Sequence, residues 1–424
     1  MHDIAIIGAG PGGLITALRL HQQGITTKIY ESVPELKPLG VGVDIKVYGV
    51  KELEEIGLLE EFRAMSVDAV DSVFYNHFGQ EIYAEKCGVH MGYLHEQRFV
   101  HRGELQMMLY RTVLERLGDD AVELGVGLVS YEQDADGVTL NLEHRDGRTE
   151  QVRHSAMIGV DGIKSVVRKQ MHPDLAKPHY SGITMYRGTT LREPIFDGHT
   201  ILHVGDPRIS TMIIYPIADN FEGSGKQLVN WVVEVEAEET IEDWNQIGTV
   251  DDVIPLYETV DIEGFDIQQL MRDAREVYLF PLIRHDPLDS WVDGRVVLLG
   301  DAAHAMYPRG GNGVCQAFLD ARVVAEELAK HEDPHEAFVA YDEARRVPVN
   351  RIVMNMRGEG YEVIRRMVAE RTDGKPLESR EAIEEVLPLA EADEIFSNYH
   401  RMVGQPLRAG HDTFSSGFRT WDAA

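Results

Sequence analysis

Two cysteines in 424 residues, Cys87 and Cys315, are too few and too far apart for a disulfide framework or a closely spaced zinc ligand set, so no metal site is expected. No apolar run reaches the length of a membrane span. The apolar start Ile4–Ile7 has no Lys or Arg before it and soon meets Gly10-Pro11-Gly12-Gly13, which argues against a secretory leader. Positive charge is scarce: 41 Lys and Arg stand against 71 Asp and Glu, and a formal net charge of −30 repels nucleic acid and anionic membrane alike. Repeats and low-complexity blocks are missing too. What remains is a cytoplasmic protein, monomer or homodimer, acting on small molecules. Its apolar content of 43% and charged content of 26% suit a globular enzyme, and its length calls for two or three domains.

The strongest positive signal is IAIIGAGPGG, Ile4 to Gly13. An apolar run reads as a buried parallel strand, and Gly8, Gly10 and Gly13 follow it in a GxGxxG arrangement. Gly8 permits the tight reversal, Gly10 lets backbone approach a pyrophosphate, and Gly13 lets the next helix pack on the strand. Leu14, Ala17, Leu18 and Leu20 continue an apolar helical stripe, Gly24 fits its C-cap, and Thr26 to Tyr30 predicts a second strand ending at Glu31. A carboxylate there can accept both hydroxyls of an adenosine ribose. An ordinary glycine-rich turn beside a surface glutamate is the plainer alternative.

Beyond Glu31, Pro34 to Gly42 predicts a loop and Lys46 to Met65 a helix, with the backbone of Gly40 to Ile45 available to lie against a flat ring. Arg102 to Arg116 is helical by pattern. Alternation from Gly125 to Leu142 around an Asp-Ala-Asp-Gly turn predicts a hairpin. A second apolar run, Ala156 to Val160, stops at Asp161-Gly162, and helix follows from Lys164 to Met171. From Ser181 to Leu282 the alternation predicts an antiparallel sheet roofing a pocket. The dinucleotide pattern returns at Arg295 to Gly300, followed by Asp301, a helix from Gly313 to Lys330 and helical sequence from Glu336 to Met367.

Three ordered motifs, GAGPGG (Gly8 to Gly13), GVDGIKSVVR (Gly159 to Arg168) and GDAAHAMYPRGGNG (Gly300 to Gly313), resemble the flavin-dependent aromatic hydroxylases of the para-hydroxybenzoate hydroxylase type, a resemblance covering nearly the whole chain. Within that family, HRGELQM, SGITMYRG and LVNW are most similar to the branch acting on phenazine carboxylic acids. The resemblance implies an α/β fold: a GxGxxG Rossmann-like FAD domain (1–180 and 286–346), an inserted, mostly antiparallel β-sheet substrate domain (181–285) and a helical C-terminal region (347–424). It also implies bound FAD and transient NADH or NADPH. FAD would meet Gly8, Gly10, Gly12, Gly13, Glu31, Val43, Arg102, Leu128, Asp161, Asp301, Pro308, Gly311, Asn312, Gly313 and Val314. Arg102 would fork onto phosphate oxygens and Asp301 accept from a ribityl hydroxyl. The plainer alternatives are a solvated helix-start arginine, and helix caps at Asp161 and Asp301. The turn Pro308 to Gly313 would aim backbone N–H groups at the flavin edge that gains negative charge on reduction. Cys315 departs from the asparagine many members carry, and a packed, inert thiol is expected there.

By the same resemblance NAD(P)H reduces FAD, O2 adds at the flavin C4a carbon, and the resulting hydroperoxide delivers one oxygen to an aromatic or N-heteroaromatic ring, with or without loss of a carboxyl group. Met185, Tyr186, Arg187, His203, Met212, Tyr215 and Trp231 are the candidate pocket residues, plain sheet core being the alternative for each. His203 and His304 are tempting as bases, but the chemistry needs no enzyme nucleophile and no catalytic residue is assigned. The competing functions are an FAD-dependent reductase or dehydrogenase without oxygen insertion, and a non-catalytic carrier of the same fold.

Overall fold

A computed structural model describes residues 2–38, 40–175, 177–237, 246–356, 360–379 and 381–403; the remainder of the expected C-terminal region, 404–424, lies outside them. A six-stranded sheet runs in the order Val292–Asp293, Val296–Leu298, Ala156–Gly159, Asp3–Ile7, Thr26–Glu31, Val122–Leu124. All its pairings are parallel except the terminal hairpin 292–298. The central strand Asp3–Ile7 is apolar at consecutive positions because both its faces are covered. Pro11–Gln22 packs beside Arg102–Leu117 and Gly313–Lys330, with Pro334–Asn355 behind the last. This layer has the Rossmann-like character expected.

A seven-stranded sheet stands across from it: Val277–Arg284, His179–Arg192, Gln227–Glu236, Ser210–Ala218, Thr200–Asp206, Asp71–Tyr75, Glu81–Lys86. Every neighbour pair is antiparallel except Asp71–Tyr75 with Thr200–Asp206. The sheet thus draws on residues 71–86 as well as on 179–284. Smaller antiparallel sheets join Gly42–Ile45, Arg98–His101 and Ser66–Asp68, and the strands Val126–Gln133, Val138–His144 and Thr149–His154.

Local differences from the expected elements have identifiable causes. The helix expected over 46–65 is two, Val47–Glu55 and Leu59–Met65, broken where Gly57 takes φ +75°. Gly42–Ile45, expected as loop, is a strand because it finds Arg98–His101. The long C-terminal helix ends at Asn355, and Val363–Arg371 and Leu389–Met402 follow separately. Among the described residues no helix is long and apolar enough to cross a membrane.

Candidate active site

The first glycine turn is built around an opening. Gly8 has φ +106°, and a Cβ there would meet the Val160 carbonyl oxygen at 2.6 Å; a Cβ on Gly13 would meet the Gly8 oxygen at 2.0 Å. One on Gly12 would press Val160 Cγ1 at 3.1 Å. Gly10 alone of the four has no chain atom within 4 Å of such a Cβ, so space lies where helix Pro11–Gln22 presents its unpaired N–H groups. Beside it the Glu31 carboxylate accepts from Ala9 N at 2.7 Å and Val33 N at 2.9 Å. Arg102 is exposed at the start of its helix and has no ion pair among the described residues. An open anion cradle, a fixed carboxylate and an uncommitted guanidinium fit the diphosphate and ribose of a dinucleotide.

Asp161 is committed within the chain. Its carboxylate accepts from Ser165 Oγ at 2.5 Å and from Val166 N at 2.7 Å, capping Val166–Met171, and burial raises its pKa against these bonds. Leu128 is buried in the three-stranded sheet, opposite Leu142.

A cavity of about 280 Å³ lies between the second glycine turn and the seven-stranded sheet. Val43, Arg102, Asp301, Pro308, Gly311, Gly313 and Val314 line its nucleotide side. Asn312 sits behind the turn, fully buried; its Oδ1 accepts from Tyr48 OH at 2.8 Å and its Nδ2 donates to Tyr399 OH at 2.9 Å. Gly310 and Gly311 have φ of +79° and +68°, the left-handed backbone the turn requires. Strand Gly42–Ile45 rests directly on the sheet: Gly42 N donates to Asn230 Oδ1 at 2.9 Å, and a Cβ at Gly42 would strike Ile217 and Tyr215.

Strand periodicity sorts the sheet residues. Met185, Arg187, Ile201, His203, Ile213, Tyr215, Val232 and Glu234 face the cavity. Met212 and Trp231 do not: both are 0% exposed on the opposite face, packed with Leu202, Ile214 and Val233, and Trp231 Nε1 donates to Thr190 Oγ1. Tyr186 is on that face as well. Being one residue out of phase with Ile213 and Val232 is the reason, so the expectation that Met212 and Trp231 line the pocket is corrected. Arg187 donates to the Gly42 carbonyl at 3.2 Å and lies over Phe280, yet has no carboxylate partner, and its Nε no acceptor, among the described residues. Burial pulls its guanidinium below the usual range. His203 stacks on Phe74, centroids 4.2 Å apart, and burial, Arg365 and Lys46 push its pKa well below the ordinary histidine value.

The polar cavity wall escapes sequence patterns. Asp44 pairs with Lys46 at 2.7 Å and accepts from Gln97 Nε2; despite burial, Asp44 holds the Lys46 ammonium above its usual pKa. Glu234 pairs with Arg309 at 3.0 Å. Glu85, Tyr93 and His400 form a third group, His400 arriving from the C-terminal helix. Charged positions in the alternating run 81–86 were the one available hint. Cys315 is sealed beneath the turn, its Sγ accepting from Lys46 N, and burial pushes its thiol up to about 12.

A dinucleotide cradle joined through a glycine-turn helix start to a ring-sized cavity under a β-sheet defines a flavin-dependent aromatic hydroxylase, with FAD as its cofactor. The chain belongs to the FAD binding domain family, which matches residues 1–356. A phenazine 1,6-dicarboxylic acid hydroxylase, PhzS, of Lysobacter antibioticus is 36% identical over 378 residues, 88% of this chain and 92% of the relative. An FAD-dependent urate hydroxylase of Mycolicibacterium vanbaalenii is 30% identical over 371 residues, 84% and 87% of the two chains. Among solved structures, Klebsiella pneumoniae HpxO complexed with FAD and uric acid aligns with TM-score 0.72 at 22% identity, covering 93% of this chain and 97% of that one. A salicylate hydroxylase substrate complex aligns with TM-score 0.70 at 22% identity, covering 96% and 98%.

Proposed function

We propose that the protein hydroxylates a planar aromatic or N-heteroaromatic acid, using NAD(P)H and O2. The observation carrying this reading is Arg187, a cavity guanidinium without a carboxylate partner among the described residues, on the wall facing the flavin-side turn. A half-buried cation held without a counter-ion carries a desolvation cost, and a substrate carboxylate would offset it. Bound FAD supplies the hydride acceptor and the transfer of one oxygen atom from O2. The chain does the rest. Gly10, Glu31, Arg102 and Asp301 hold the nucleotide and ribityl parts; Val43 and the turn Pro308 to Val314 hold the ring system and face it with backbone N–H groups. Met185, Ile213, Tyr215 and Val232 keep water from the substrate ring while Arg187 orients its carboxylate. Relatives acting on phenazine dicarboxylic acid and urate, both planar and anionic or acidic, support the choice of substrate class.

The test is to purify the protein with its flavin spectrum and screen aromatic and N-heteroaromatic acids for stimulated NAD(P)H oxidation, O2 uptake and a product heavier by one oxygen. Anaerobic reduction of the substrate with no oxygen incorporated would instead make it a reductase.

A further inference from the structure

Asn312 stands immediately before the helix Gly313–Lys330, at the position where asparagine is among the strongest capping residues. It does not cap. Its backbone is helical, at φ −86° and ψ −26°, where a capping residue is extended, and its side chain makes no cap bond. The N–H groups of Gly313 and Val314 therefore find no acceptor among the described residues. The Asn312 amide is engaged behind the turn instead, its Oδ1 accepting from Tyr48 OH and its Nδ2 donating to Tyr399 OH. The direction of these bonds is fixed from further back. Arg345 can only donate, so Gln316 turns its Oε1 to Arg345 Nη2 at 2.7 Å and its Nε2 to Tyr48 OH at 3.2 Å. Tyr48 then directs its single proton to Asn312 Oδ1. Arg345, Gln316, Tyr48 and Tyr399 come from four helices, and all of them are buried with Asn312, where a hydrogen bond is strong and a lost partner is costly.

We propose that Tyr48, oriented by Gln316 and Arg345, restrains Asn312 from capping its own helix, so that the first N–H groups of Gly313–Lys330 stay free for the negative charge that bound flavin gains on reduction. The inference rests on the reading that the turn Pro308 to Gly313 faces the flavin edge. Tyr48, Gln316 and Arg345 are positioning residues, since they act through Asn312. An oxygen bonded to the helix start would share its N–H groups with the flavin and offset the positive end of the helix. Holding that oxygen back favours reduced over oxidised flavin and raises the midpoint potential. Without the Tyr48 hydroxyl, Asn312 Oδ1 becomes a buried acceptor whose own helix offers unpaired donors one and two residues away. A network that merely propped the turn would need the Asn312 amide itself. A restraint needs only that no capping group be present.

The test measures the midpoint potential of FAD-loaded protein against a reference dye and compares Asn312→Ser with Asn312→Ala. Both side chains are shorter than asparagine and lose the bond to Tyr48, and only serine can cap. Asn312→Ala should keep the wild-type midpoint. Asn312→Ser should hold reduced flavin about tenfold more weakly relative to oxidised, a midpoint about 30 mV lower for a two-electron couple. Tyr48→Phe, which releases Oδ1, should lower the midpoint as well, and adding Asn312→Ala should restore it; a loss of packing would not be reversed by a second deletion. Gly311→Ala strains the turn itself, at φ +68°, and should shift the midpoint wherever the turn meets the flavin. With Gly311→Ala shifted, equal midpoints in Asn312→Ser and Asn312→Ala, or an unchanged one in Tyr48→Phe, would overturn the restraint alone. A Gly311→Ala holoenzyme that also keeps the wild-type midpoint would overturn the placement of the turn beneath it.

Discussion

His304 Nε2 lies 2.6 Å from Asp320 Oδ2, with both side chains fully buried. Asp320 also takes Arg345 Nε at 2.8 Å and Gly300 N at 3.2 Å, so one carboxylate ties the strand end before the second glycine turn to the helices Gly313–Lys330 and Pro334–Asn355. Despite burial, His304 and Arg345 hold the Asp320 carboxyl below its ordinary pKa. The histidine that looks like a base in the sequence is a strut. His304→Ala should destabilise the protein by about 1–3 kcal/mol, the usual cost of leaving a buried polar group without one hydrogen-bond partner, read from its urea midpoint. A variant that unfolds at the wild-type midpoint but cannot oxygenate substrate would restore the catalytic role.

The glycine turn separates folding from binding. Gly13→Ala puts a Cβ 2.0 Å from a carbonyl oxygen and should yield little folded protein. Gly10→Ala meets nothing in the chain, and its backbone at φ −67° suits alanine. It should therefore keep the apoprotein melting temperature while weakening FAD affinity tenfold or more, about 1.4 kcal/mol. Unchanged FAD affinity would remove the diphosphate from this turn.

Arg187→Gln removes a half-buried charge that no described carboxylate balances, so apoprotein stability should hold or rise slightly. Binding of a carboxylate substrate, followed by perturbation of the flavin spectrum, should weaken by about 2–5 kcal/mol. The amide analogue of the same acid should bind wild type and variant alike; equal losses for acid and amide would assign Arg187 to packing.

Two buried histidines shape the response to acid. His203 is held well below the ordinary histidine pKa by burial and by Arg365, and His285 is lowered to about 4 by burial and Arg168. The unfolded chain binds protons at these positions below about pH 6.5 while the folded chain does not. Stability should consequently fall with pH from about 6.5 toward 4, each histidine adding a slope approaching ~1.4 kcal/mol per unit. His285→Gln should flatten that limb in urea titrations at pH 7.5 and 5; an unaltered slope would mean His285 is charged in the native state.

What the sequence carries legibly is local. The strand, glycines, helix and Glu31 of the first unit are contiguous, as are the elements of the turn from Gly300 to Gly313, so each can be read without its neighbours. Alternation in 210–218 and 227–236 identifies strands but leaves open which phase faces the cavity, and Met212 and Trp231 fall on the other side for that reason. The polar cavity wall is the least legible part. Glu85, Tyr93 and His400 meet only because Asp71–Tyr75 finds Thr200–Asp206 and because Leu389–Met402 packs over the hairpin 71–86, where Phe396 stacks on Tyr83 at 4.6 Å. No local pattern encodes pairings across such separations.

That parallel pairing also sets a schedule for biosynthesis. Residues 71–86 emerge from the ribosome well before the strand Thr200–Asp206 that completes them, a wait of the order of ten seconds at ~5–20 residues per second. Throughout it a two-stranded hairpin with apolar Val73, Phe74 and Ile82 stands without its sheet. The nascent chain is open to misassociation through that hairpin edge in that interval, and chaperones should be needed there.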